Sequence, residues 1–102
     1  MRIIVLFDLP VITKLERRAA SSFRKFLIDD GYIMMQFSVY SRVCNGKDAV
    51  IKHRSRLMAH LPDNGAVRMM AITEKQYQNI EVLLGTLNQN EKDATIEQLT
   101  LL

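Results

Sequence analysis

Asp8 is the residue whose position asks for a chemical explanation. It directly follows Ile3-Ile4-Val5-Leu6-Phe7, an unbroken apolar run once past Arg2. A carboxylate there is costly unless it emerges where water, a cation or a hydrogen bond receives it. Two readings suit it. It could make an Asx-type turn ahead of Pro10. It could instead ligate a hard cation: magnesium takes octahedral oxygen ligands, often one or two carboxylates with waters and substrate phosphate. One such aspartate per chain is a poor site. Two related by a two-fold axis make a reasonable one, because an isologous interface sets each residue against its twin. A cation held there would activate water and stabilise charge on a phosphodiester.

Few other residues compete. The chain has no Ser-His-Asp set, no Gly-rich phosphate loop and no paired-cysteine metal site. His53 and His60 are seven residues apart on an expected helix, so roughly 10 Å apart along its axis and too far to chelate one ion. They read as surface or phosphate-proximal residues. Ser38 has no histidine near it in sequence and reads as a strand hydroxyl. Cys44 is the single cysteine. It cannot form an internal disulfide and reads as a small buried hydrophobe.

Charge points to a polyanion. Residues 1–62 hold eleven Lys/Arg against five Asp/Glu, a balance of +6, while residues 63–102 hold three against six. A basic face suits phosphate polymers or acidic partners. The length of 102 residues allows one domain. No apolar run approaches the roughly 20 residues of a bilayer span. Asp8 ends the apolar N-terminus too early for a signal peptide, so a cytoplasmic location is expected.

The elements that must position these groups are legible. Residues 2–7 read as a strand buried on both faces, central in a sheet. Thr13 and Glu16 form a capping box at the start of a helix. Gly31 is the left-handed residue past its end. Leu15, Ala19, Phe23, Phe26 and Leu27 are expected to pack on the sheet. Lys14, Arg17, Ser21, Arg24 and Ile28 form another row, with Arg18 and Lys25 beside it. Residues 32–43 alternate as one bent strand or a tight hairpin, with Ile33, Met35, Phe37, Val39 and Val43 on one side. Tyr32, Met34, Gln36, Ser38, Tyr40 and Arg42 are expected on the outer side.

A second helix is expected over Lys47–Leu61, with Val50, Arg54, Leu57 and Leu61 on one row. A strand follows at 66–72, a turn or short helix at 73–78 and a last short strand at Ile80–Leu84. The order β-α-β-β-α-β gives an α+β, ferredoxin-like sheet over residues 1–85. Residues 86–102 form a tail carrying Ile96, Leu99, Leu101 and Leu102, expected to dock on a partner chain.

Taken together, Asp8-Leu9-Pro10, Lys14 with Arg17-Arg18, Gly31-Tyr32 and Gln36-x-Ser38-Val39-Tyr40 resemble the CRISPR-associated protein two family. Gly65-x-Val67-Arg68 and Thr73-Glu74-Lys75-Gln76-Tyr77 extend the match. The length and tail look like members that accompany type II loci. The resemblance implies a ferredoxin-like homodimer whose last strand crosses onto the partner subunit. It implies a role in spacer acquisition, in which the dimer bridges dimers of the CRISPR integrase (the protein one family) and supports a double-stranded prespacer DNA. It also implies, for some members, a metal-dependent endonuclease on RNA or DNA with Asp8 as the catalytic Mg2+ ligand. Arg17 and Arg18 match the family's basic positions. Tyr40 stands where many members have phenylalanine.

Lys14, Arg17, Arg18 and Arg24 are therefore the expected nucleic-acid contacts, giving affinity without sequence preference. Arg42 and Arg68 are weaker candidates. A toxin-like, stand-alone endoribonuclease similar to VapD and a non-catalytic RNA-binding module remain the alternatives.

Overall fold

The computed structural model describes residues 1–85. Its elements are β1 (Arg2–Asp8), α1 (Lys14–Asp29), β2 (Ile33–Gln36), β3 (Val39–Val43), α2 (Gly46–Met58), β4 (Ala66–Ile72) and α3 (Glu74–Gln78). The four strands form one antiparallel sheet in the order β2-β3-β1-β4. This is the expected α+β, ferredoxin-like arrangement. β1 lies between two neighbours, which is why its run of Ile and Val is tolerated: Ile3, Ile4, Val5 and Phe7 are all buried.

One face of the sheet holds the core. Ile3, Val5, Phe7, Tyr40 and Cys44 pack with Phe23 and Leu27 of α1 and Leu57 of α2. Phe7 sits edge-on to Phe23, with centroids 5.2 Å apart, and stacks on Tyr40 at 5.6 Å. The capping box at Thr13 and Glu16 is present with both bonds. α1 closes as a Schellman motif: the Gly31 and Tyr32 N–H groups donate to the Ile28 and Leu27 carbonyls at 3.0 and 2.9 Å. Gly31 supplies the positive φ of 92° that this closure requires.

Several faces differ from expectation. The core side of α1 is Ala20, Phe23 and Leu27, with Phe26 half-buried; Leu15 and Ala19 are exposed. Those two instead line a shallow groove with Pro10 and Pro62. On the hairpin the two sides exchange roles. Tyr32 and Tyr40 lie inward at 3% exposure and Phe37 lies outward. Alternation separates two sets but does not say which one the helices cover, and the pairing of Tyr40 with Val5 decides it. A register shift between Met34 and Gln36 and a turn at Phe37-Ser38 break the row into two strands.

α2 is shorter than expected. Its buried residues are His53 and Leu57, with Ala49 and Val50 packed beside them, while Arg54 is exposed. Residues 80–84 form no strand, because in a single chain no ladder partner pairs with them. The tail from residue 86 lies outside the described residues.

The second face of the sheet carries Ile4, Leu6, Val39, Ser41 and Met70. α3 meets it at Arg2: Arg2 Nε donates to Glu74 at 2.9 Å and the guanidinium lies 3.8 Å over the Tyr77 ring. Asp8 and Arg68, at the other end, are exposed.

Candidate functional site

Asp8 is the last residue of β1, opposite Ala66 of β4, and its side chain is exposed. Strand alternation places it on the second face with Leu6 and Ile4, away from the helices. Arg68, paired with Leu6, stands diagonal to it on the same face. Arg68 is thus nearer the carboxylate than its place in the sequence indicates. The hairpin tip lies alongside, since the Phe7 N–H donates to the Ser38 carbonyl at 3.0 Å.

An exposed, acceptor-only carboxylate fits a hard cation. Among the described residues, however, no group of three or more His, Cys, Asp or Glu could hold a metal. With Asp8 as its ligand, a single chain falls short of the oxygen donors that Mg2+ takes, and a second copy or a substrate phosphate would have to add to them.

The β1–α1 loop leads from Asp8 to the basic helix. Lys14, Arg17, Arg18, Ser21 and Ser22 line one shallow depression. The capping box fixes the start of α1 and so the height of these side chains above the loop. Arg17 has a further duty: its Nη1 donates to the carbonyls of Ile12 at 2.7 Å and Val11 at 3.3 Å. It braces the loop as well as adding charge. Arg24 is half-buried and lies outside the depression. Glu16 is held below the usual carboxylate range, chiefly by the Thr13 backbone N–H.

The remaining candidates serve the fold. His53 is not a surface residue: it is buried, and its Nδ1 lies 3.0 Å from the Asp30 carboxylate. Arg56 Nε donates to the other Asp30 oxygen at 2.7 Å. Arg42 donates to the Asp30 carbonyl, so it locks the end of α1 and is not available to a ligand. His60 is exposed; it approaches the Arg56 carbonyl at 2.8 Å and stacks on Phe26 at 4.0 Å. Cys44 is buried, and that burial raises its thiol pKa. Ser38 takes a positive φ of 64° in the hairpin turn. Asp30 escaped the sequence reading because its partners lie 23 and 26 residues further on.

Known proteins share this sequence and fold. Residues 1–80 match the family model described as CRISPR associated protein Cas2. A CRISPR-associated endoribonuclease Cas2 from Acidovorax ebreus (strain TPSY) is 50% identical over 101 residues, covering 99% of each chain. A protein of the same description from Campylobacter jejuni is 44% identical, over 99% of this chain and 71% of that one. A crystal structure of Streptococcus pyogenes Cas2 at pH 6.5 shares the fold, with a TM-score of 0.63 and 19% identity, over 81% of this chain and 99% of that one. Among the described residues no helix is long and apolar enough to cross a membrane. The chain belongs to the CRISPR associated protein Cas2 family.

Proposed function

We propose that this chain acts in CRISPR spacer acquisition as a homodimer that holds double-stranded prespacer DNA and bridges integrase dimers, with a metal-dependent endonuclease activity at Asp8. The observation that carries it is the depression formed by Lys14, Arg17, Arg18, Ser21 and Ser22 on the helix that Asp8 leads into. Cations and hydroxyls on one helix face neutralise and hydrogen-bond phosphates without reading bases. A prespacer can have any sequence, so affinity without base contacts is the chemistry it needs.

The second sheet face supports the dimer. Val43 and Met70 are exposed there, and exposed apolar side chains of this kind suit a second copy. In a two-fold dimer the second copy would supply the second Asp8. Mg2+ held by the two carboxylates would provide a Lewis acid for phosphodiester hydrolysis. Within the chain, Asp8 binds, Arg68 adds positive charge beside it, and Lys14 and Arg18 hold the backbone of the nucleic acid.

The endoribonuclease description carried by the relatives favours a second reading, in which RNA hydrolysis is the main activity. Spacer acquisition in cells separates the two. Asp8→Asn should still acquire spacers, whereas Lys14→Ala with Arg18→Ala should not. Loss of acquisition in Asp8→Asn with dimer and integrase complex intact would reject the adaptor reading. In vitro, duplex affinity should fall steeply with salt, and each lost phosphate contact should reduce the logarithmic slope by about 0.9. An unchanged slope in the double variant would remove these residues from the interface.

A further inference from the structure

The hairpin tip presents a feature that neither the core nor the basic helix uses. Phe37 is 89% exposed and Gln36 before it is exposed too, while Ser38 and Val39 after it are half-buried. The turn enforces this exposure. Gln36 pairs with Val39 across it, and Ser38 takes a positive φ of 64°, a region that non-glycine residues seldom adopt. The tip is also pinned: the Phe7 N–H donates to the Ser38 carbonyl at 3.0 Å. Phe37 is therefore an exposed ring at the hairpin tip, and the residue after it is hydrogen-bonded to β1 one position before Asp8.

Topology gathers complementary groups at that end of the sheet. β1 finishes there at Asp8, β4 starts there at Ala66, and the loop from Asp8 delivers Lys14, Arg17 and Arg18. An exposed ring at the sheet end where Asp8 emerges, with cations on the helix that follows the connecting loop, meets the needs of a single-stranded nucleotide. Cations hold the backbone and the ring receives the face of an unpaired base, without regard to its identity. A base within a duplex is already stacked on its neighbours and offers no free face.

We propose that Phe37 is the stacking platform for an unpaired nucleobase flanking the phosphate brought to Asp8, and so a positioning residue that favours single-stranded over duplex substrate in the nuclease reaction. This rests on the reading of Asp8 as the phosphodiester site, and its test is built to fail separately.

The full-length protein is mixed with a short single-stranded RNA carrying 2-aminopurine, in buffer with a chelator so that no cleavage occurs. Wild type should quench the fluorophore on binding. Phe37→Ala should abolish the quenching and weaken single-strand binding at least about fivefold. Phe37→Trp should retain both. Duplex affinity and sedimentation of Phe37→Ala should match wild type. Unchanged single-strand affinity and quenching in Phe37→Ala would overturn the proposal. So would an equal loss on duplex and single strand, or a changed oligomeric state, which would make the ring a protein contact. If Asp8-dependent cleavage persists while Phe37→Ala binds normally, only the stacking role fails. If the wild-type protein binds no nucleic acid, the functional reading itself fails.

Discussion

Gly65 lies directly against Asp8: a Cβ on Gly65 would come within 2.7 Å of the Asp8 carbonyl oxygen and 2.8 Å of a Leu9 methyl. Its φ of +105° is one that L side chains rarely adopt. Gly65→Ala therefore strains two backbones at once, and backbone is less free to yield than a flexible side chain. The expected loss of stability is about 1–3 kcal/mol by denaturant unfolding. Asp8-dependent cleavage should also fall, since the end of β1 must move. Wild-type stability in this variant would show that the contact relaxes without cost.

Asp30 joins α1 to α2 through His53 and Arg56. Removing a buried carboxylate strands both partners, but the Arg56 side chain is half exposed and can be rehydrated. Asp30→Asn is expected to cost about 1–3 kcal/mol in urea unfolding and to leave nucleic-acid affinity unchanged. A loss of binding without loss of stability would place this network in the functional site.

Tyr32 supplies a pH signature. Burial, followed by the Asp30 charge, pushes its phenol up to about 12 from an ordinary 10.0. The folded state thus holds this proton more tightly than the unfolded chain. The stabilisation is fully present below pH 10 and is lost as pH rises from there through about 12. Phenolate absorbance should show a late-titrating tyrosine that vanishes in Tyr32→Phe. Its buried hydroxyl has no hydrogen-bond partner among the described residues, so Tyr32→Phe should be neutral or stabilising at pH 7. Destabilisation by more than about 1 kcal/mol would mean that the hydroxyl does have a partner.

What the sequence discloses follows from what is local. The capping box at Thr13 and Glu16, the Gly31 closure and the doubly buried β1 each rest on residues a few positions apart, and each is present. Facing is not local. The rows of the hairpin exchange sides because only β1 pairing and the helix layer decide that Tyr40 turns inward. The same holds for His53, which looks like a surface histidine until Asp30 is brought to it. The candidate residues divide similarly: Asp8 and the α1 cations stand out by type and spacing, whereas sheet register alone sets Arg68 diagonal to Asp8 and a turn alone exposes Phe37.

In the proposed function Asp8 performs phosphodiester chemistry while the basic helix holds the substrate. Cleavage of a labelled RNA and a labelled duplex by wild type and Asp8→Asn, with and without Mg2+, tests it most directly, with binding measured on the same preparations. Mg2+-dependent cleavage should disappear in Asp8→Asn while affinity and oligomeric state stay as in wild type. Equal cleavage by Asp8→Asn and wild type would contradict it.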